Sequence, residues 1–164
     1  MNSITIRPAT KKDVPFLWEM LYESIHVAEG KEKPDRNIVF HPSIAKYLEN
    51  WGREGDFALV AVNESGEPVG SITLRFFKQA DKGYGYVNDE TPELGMAILP
   101  AYRGQGIGTA LMKALVEYGR AAGIQAISLS VDPSNPAMSL YKRTGFKEVG
   151  IEGTSITMLL LLQA

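Results

Sequence analysis

Apolar residues recur along this chain with two periods, and the changes of period mark its predicted elements. Ile4 and Ile6 alternate with Thr5 and Arg7, so a short strand opens the sequence. Val14, Leu17, Met20, Leu21 and Ile25 then fall at helical spacing, after Thr10 and Asp13 at capping-box spacing, with Pro15 tolerated in the first turn. Residues 28 to 42 are polar, hold Gly30, Pro34 and Pro42, and read as a loop. Ile44, Tyr47, Leu48 and Trp51 predict a second helix that ends near Gly52 or Gly55. Phe57 to Val62 is almost continuously apolar, as in a strand covered on both faces. Beyond the turn at Gly66, residues 69 to 77 alternate. Ile72, Leu74 and Phe76 lie on one face and Ser71, Thr73 and Arg75 on the other, completing an antiparallel hairpin.

A second loop runs from Asp81 through Gly83 to Thr91 and Pro92. Leu94 to Leu99 is a buried strand stopped by Pro100. Ile107, Leu111, Ala114, Leu115, Tyr118 and Ala122 share one face of a strong helix stopped by Gly123. Ile127, Leu129 and Val131 form the next strand. Asn135 and Pro136 read as the cap and first residue of a short helix that carries Leu140 and Tyr141 and ends at Gly145. Residues 146 to 151 and 155 to 162 are two closing strands. The order is strand, two helices, three strands, helix, strand, helix, two strands. That predicts an α/β fold with a mixed sheet in which strands 94–99 and 126–131 run parallel.

Length and composition narrow this little further. The 164 residues suit one domain spanning 1–164, and 45% apolar with 22% charged residues is a globular balance. A net charge of −2 argues against a general nucleic-acid or membrane surface. No basic stretch followed by an apolar one opens the chain, and the longest apolar run, Met158 to Leu162, is far short of a span, so a cytoplasmic location is expected. The absence of cysteine removes disulfides, thiolate metal sites and a catalytic thiol. His26 and His41 alone make no metal site, and none is expected.

The chemistry concentrates in Pro100-Ala101-Tyr102-Arg103-Gly104-Gln105-Gly106-Ile107-Gly108-Thr109, between a strand and a helix. Glycines let a ligand approach the main chain, and the first amides of a helix have no internal partner. With the helix dipole they form an anion site suited to phosphate, and Arg103 can add a guanidinium. The segment lacks the Gly-Lys-Ser/Thr of a Walker loop. Counted from Gly104, it places Thr109 where a dinucleotide fingerprint needs its last glycine.

Arg103-Gly104-Gln105-Gly106-Ile107-Gly108 resembles the Arg/Gln-x-x-Gly-x-Gly/Ala signature of the GNAT superfamily of N-acetyltransferases. Asn135 through Phe146 resembles that family's second conserved segment, and the order of elements matches from Ile4 to Leu162. The resemblance implies a mostly antiparallel sheet of six to seven strands, a central parallel pair and helices on both faces. It implies acetyl-CoA as donor cosubstrate and no metal. The pyrophosphate would lie on amides between Arg103 and Thr109, mainly Gln105, Gly106, Gly108 and Thr109, around Gly104. The pantetheine arm would pair with Ala97, Ile98 and Leu99, the Ile98 amide would polarise the thioester carbonyl, and Asn135 would touch the arm.

Tyr141, by periodicity an ordinary core aromatic, aligns with the family's tyrosine near the coenzyme sulfur and becomes the expected proton donor to the thiolate. Glu93, otherwise a solvated strand-end carboxylate, aligns with a frequent catalytic glutamate and becomes the expected base, directly or through water. Asp89 and Glu90 are nearby alternatives. Without cysteine no acetyl-cysteine can form, so direct attack by the amine in a ternary complex is expected. The resemblance places the acceptor near residues 18 to 41 and 78 to 92, with Trp18, Tyr22, Glu23, His26 and Tyr84 as candidates. The acceptor is a small-molecule or peptide amine, and the family admits a homodimer. A non-catalytic acyl-CoA sensor on the same fold is the alternative.

Overall fold

In a computed structural model that describes residues 3–27 and 30–163, seven strands form one sheet in the order β1-β2-β3-β4-β5-β7-β6. They are β1 (Thr5–Pro8), β2 (Phe57–Val62), β3 (Pro68–Arg75), β4 (Glu93–Ile98), β5 (Ala126–Val131), β6 (Lys147–Glu152) and β7 (Ser155–Leu161). Every neighbouring pair is antiparallel except β4 and β5, which are parallel as the strand–helix–strand pattern predicts. The helices are α1 (Val14–Glu23), α2 (Pro42–Ala45), α3 (Ile107–Ala121) and α4 (Met138–Thr144). Met1 and Asn2, and positions 28 and 29 of the expected loop, lie outside the described residues.

Two predicted elements differ. The second helix shrinks to Pro42–Ala45, and the apolar stripe from Ile44 to Trp51 continues as tight turns in which most amides reach back three residues rather than four. The loop before it contains a 3-10 turn, Arg36–Phe40, capped by Asp35. The expected helix at Asn135-Pro136 begins two residues later, at Met138. Asn135 still acts locally, because its side-chain oxygen accepts the Ala137 amide at 2.9 Å and its carbonyl accepts Met138 at 3.1 Å. The signal marked a turn that leads into the helix rather than the helix itself.

The sheet is covered on both sides, and its two faces are chemically different. Leu59, Ala61, Ile72, Leu74, Leu94, Ile127 and Leu129 pack against Ile107, Leu111 and Leu115 of α3 in the main core. The alternate positions carry Ala58, Ser71, Thr73, Arg75, Glu93 and Ser128 toward α1 and the α2 turns. The polar face of the 69–77 strand is therefore buried too.

Arg75 is the largest fully buried side chain. Its guanidinium donates to both oxygens of the buried Asp56 side chain at 3.0 and 2.8 Å and to the carbonyls of Lys46 and Glu49 at 2.9 and 2.8 Å, while Trp51 lies against its face at 5.1 Å. One side chain thus fixes the irregular connector from 46 to 56. Removing one partner of such a pair strands a charge in low dielectric. Asp56→Ala is expected to lower stability by about 3–5 kcal/mol, read from urea denaturation.

Candidate active site

The parallel pair opens almost as soon as it forms. β4 and β5 share a single register pair, Glu93 with Ser128, where the Ser128 amide reaches the Pro92 carbonyl at 3.0 Å. Beyond it the strands part around a cleft of about 960 Å³ that runs between β4, β5, α4 and the end of α1. Leu99 donates its amide to Val69 on β3. Main-chain direction alternates along a strand, so Ala97 and Leu99 face β3, whereas Met96 and Ile98 face the cleft. Of the three expected pairing residues only Ile98 turns its backbone to the opening, and Met96, which the sequence reading passed over, shares that edge. The Ile98 carbonyl accepts Arg103 Nε at 3.0 Å.

At the far end of β4 the chain turns through Pro100–Tyr102 into α3. Gly104 and Gly106 hold φ of +75° and +83°, a region that side chains avoid, and Gly106 caps the helix in that conformation. The amides of Gly104 through Thr109 donate to none of the described residues, which is the open helix start the spacing predicts. Gly104, Gly106, Gly108 and Thr109 line the cleft, as does Asn135 across it. Gln105 does not, and its side chain folds back to the Ala101 carbonyl at 3.3 Å.

Glu93 is buried rather than solvated. Its Oε2 accepts the Tyr47 hydroxyl at 2.5 Å and its Oε1 accepts the Gly85 amide at 3.0 Å. Loss of hydration raises this carboxyl from 4.5 to about 7, against the opposing pull of those two donors and of nearby Lys46. The main chain of the 78–92 loop lies directly on this group. A Cβ on Gly83 would clash with Oε1, and one on Gly85 would strike the Leu129 backbone at 2.6 Å. Asp89 and Glu90 stand outside the cleft, Asp89 engaged by Tyr86 and the Gln79 amide.

Tyr141 sits on the β5 side, buried, its ring edge-on to Phe146 at 5.9 Å. It lines the cleft, and burial alone pushes its hydroxyl up to about 12, so the phenol keeps its proton at neutral pH. Of the expected acceptor residues, Glu23, His26 and Tyr84 line the cleft. Trp18 instead packs near Phe40 at 5.9 Å, and Tyr22 is buried with its hydroxyl on the Pro34 carbonyl at 2.7 Å. Both belong to the packing beneath α1. His41 caps α2 through Ser43. The segment after α1 crosses the opening, tied to one side by Glu23 and Arg103 at 3.6 Å and to the other by His26 and Ser134 at 2.9 Å. Tyr47 was read only as part of an apolar stripe. No period could reveal that its hydroxyl reaches Glu93, 46 residues away.

The chain belongs to the acetyltransferase (GNAT) family, whose model matches residues 18–146. It is 42% identical over 65 residues to a [ribosomal protein bS18]-alanine N-acetyltransferase of Haemophilus influenzae, covering 40% of this chain and 44% of that protein. It is 28% identical over 155 residues to an uncharacterised N-acetyltransferase of Methanocaldococcus jannaschii, covering 90% of this chain and 62% of that one. The chain thus spans less than two thirds of the length of these relatives. Its fold superposes on a phosphinothricin acetyltransferase of Sinorhizobium meliloti, solved with acetyl-CoA, at a TM-score of 0.66 and 21% identity over 96% of this chain and 88% of that one. No helix among the described residues is long and apolar enough to cross a membrane.

The raised Glu93 carboxyl has a consequence for stability. Below about pH 4.5 folded and unfolded chains both hold its proton, and between there and about 7 only the folded chain does. Stability contributed by this group therefore falls as pH rises through that window. The total loss is on the order of 3 kcal/mol. The stability difference between wild type and Glu93→Gln, measured by urea denaturation, is expected to move against wild type by that amount from pH 4.5 to 8.

Proposed function

We propose that this protein transfers the acetyl group of acetyl-CoA to a primary amine by direct attack within a ternary complex. The observation that carries the reading is the parted strand pair, with open helix-start amides at one end and a buried carboxylate and phenol at the other. The free amides of Gly104 to Thr109 suit the pyrophosphate. The open amide and carbonyl of Met96 and the open amide of Ile98 suit the amides of the pantetheine arm, since such groups need partners. The residues therefore fit the coenzyme, which supplies an activated acetyl thioester.

Along an extended strand Met96 lies about 10 Å from Glu93 and Ile98 about 17 Å. The acetyl carbonyl must meet an amine that Glu93 deprotonates, so the Met96 amide is the better placed donor to the developing oxyanion. Glu93 accepts a proton from the acceptor ammonium, and a carboxyl near 7 is matched to that task at neutral pH. The freed nitrogen lone pair forms the new N–C bond. As the C–S bond breaks, Tyr141 gives its hydroxyl proton to the sulfur and recovers one from the acylated nitrogen. Glu93 returns its proton to solvent.

The acceptor enters past Tyr84 and the end of α1, where Ile44, Tyr47 and Leu21 give an apolar wall. Relatives named for a ribosomal-protein alanine support including a peptide with an amino-terminal alanine among the candidates, beside small amines.

A thiol-release assay with acetyl-CoA across such a panel tests the proposal. Tyr141→Phe is expected to lower kcat about 100-fold while coenzyme affinity stays within about twofold. An unchanged kcat removes Tyr141 from the mechanism. Initial rates at varied concentrations of both substrates are expected to give intersecting reciprocal plots, and parallel lines would exclude the ternary complex. Tight coenzyme binding with no amine consumed would favour an acyl-CoA sensor.

A further inference from the structure

We propose that Tyr47 is the positioning residue of Glu93: its hydroxyl, held by the Tyr84 amide, is the directed donor that fixes the carboxylate and sets how readily it ionises. The proposal deepens the reading of Glu93 as the base and rests on it for its kinetic consequence.

A phenol oxygen carries one proton. The Tyr84 amide donates to Tyr47 Oη at 2.7 Å and so occupies an acceptor position on that oxygen. The single O–H then has one described acceptor in reach, Glu93 Oε2 at 2.5 Å. Burial raises the Tyr47 phenol well above its ordinary range, so the proton stays on the tyrosine. Its direction is thus fixed from both ends. The ring is located independently of Glu93. Phe77 meets it edge-on at 5.0 Å, and Arg75 grips the carbonyl of the preceding residue, Lys46.

The other groups around the carboxylate leave this role open. From the 78–92 loop the Gly85 amide serves Oε1 only. Lys46 attracts Glu93 through space, but its Nζ is bonded to Asp81 and to the Lys82 carbonyl. On β3, Arg75 is the register partner of Glu93, yet its guanidinium is committed to Asp56 and two carbonyls. On β5, Ser128 stands opposite with a buried hydroxyl that bonds to no described residue. From α1, Glu23 lines the same cleft and is paired with Lys33 and Arg103. Tyr141 faces the cleft from α4. Among the described residues only Tyr47 supplies a hydrogen bond to Oε2.

The test follows the Glu93 carboxyl directly, in full-length protein labelled with ¹³C at the glutamate side-chain carboxyls and titrated by NMR. The signal lost in Glu93→Gln identifies it. Wild type is expected to titrate near 7. Tyr47→Phe, which keeps the ring and deletes the donor, is expected to raise that midpoint by about one to two pH units, because a hydrogen bond to a charged group is lost. The acid limb of kcat/KM for an amine found to turn over should move by the same interval, so the rate falls about 5- to 50-fold at pH 7 and recovers toward wild type at high pH.

A merely structural role would lower the rate at every pH without moving the midpoint. A midpoint within about 0.3 unit of wild type in folded Tyr47→Phe overturns the proposal. Uniform 3-fluorotyrosine labelling gives an independent reading that deletes no side chain. It makes the phenol a stronger donor and is expected to lower the Glu93 midpoint, and no change would also count against Tyr47. If Glu93→Gln keeps full turnover and the same acid limb, the base reading fails while the control of this carboxyl by Tyr47 stands.

Discussion

The fold is organised by a parallel pair that cannot close. Two strands joined by a helical crossover ordinarily run side by side, yet β4 and β5 touch at one register position and then separate. The antiparallel ladders on either side hold each strand so firmly that neither can swing over to its neighbour. The separation leaves the amide and carbonyl of Met96 and the amide of Ile98 facing an opening, and main-chain groups withdrawn from water demand partners. The proposed pantetheine arm would supply those partners, and the open amides of the glycine-rich helix start would then meet its pyrophosphate.

The same parting divides the chemistry between two half-sheets. Glu93 belongs to β4 and Tyr141 to the helix that follows β5, so a carboxyl and a phenol approach one cleft from opposite sides. Both are buried, and burial acts on each in the same sense by disfavouring the charged form. The outcomes differ because the starting values do. The carboxyl is brought to the neutral range, where it can exchange a proton, and the phenol is driven away from it, where it holds one.

Much of this was legible in the residues. Period changes located all seven strands, and the alternation of Gly104, Gly106 and Gly108 announced the open helix start before any geometry was available. The short second helix failed because a stripe of apolar residues at helical spacing is equally served by successive tight turns, once Arg75 captures the carbonyls that a regular helix would use. The polar positions of the 69–77 strand read as one face of a simple hairpin. They prove to be the buried face that carries Arg75 and, on the next strand, Glu93. Periodicity separates apolar from polar, but a polar face covered by another helix looks the same as one covered by water. Tyr47 and Asp56 escaped for a related reason: their partners are distant in sequence and lie on elements whose packing no local pattern records.

Arg75 also constrains how the molecule can breathe. Four of its five donors are satisfied by a connector that has little regular structure of its own, so that connector is held by charge rather than by repetitive backbone bonds. Peeling it from the sheet would leave a guanidinium facing apolar neighbours, at a free-energy cost comparable to a sizeable part of a whole domain's stability. The irregular segment therefore opens only when the sheet beneath it opens. The wall bearing Tyr47 is thereby tied to the strands it leans upon, although it lies outside any long helix or strand.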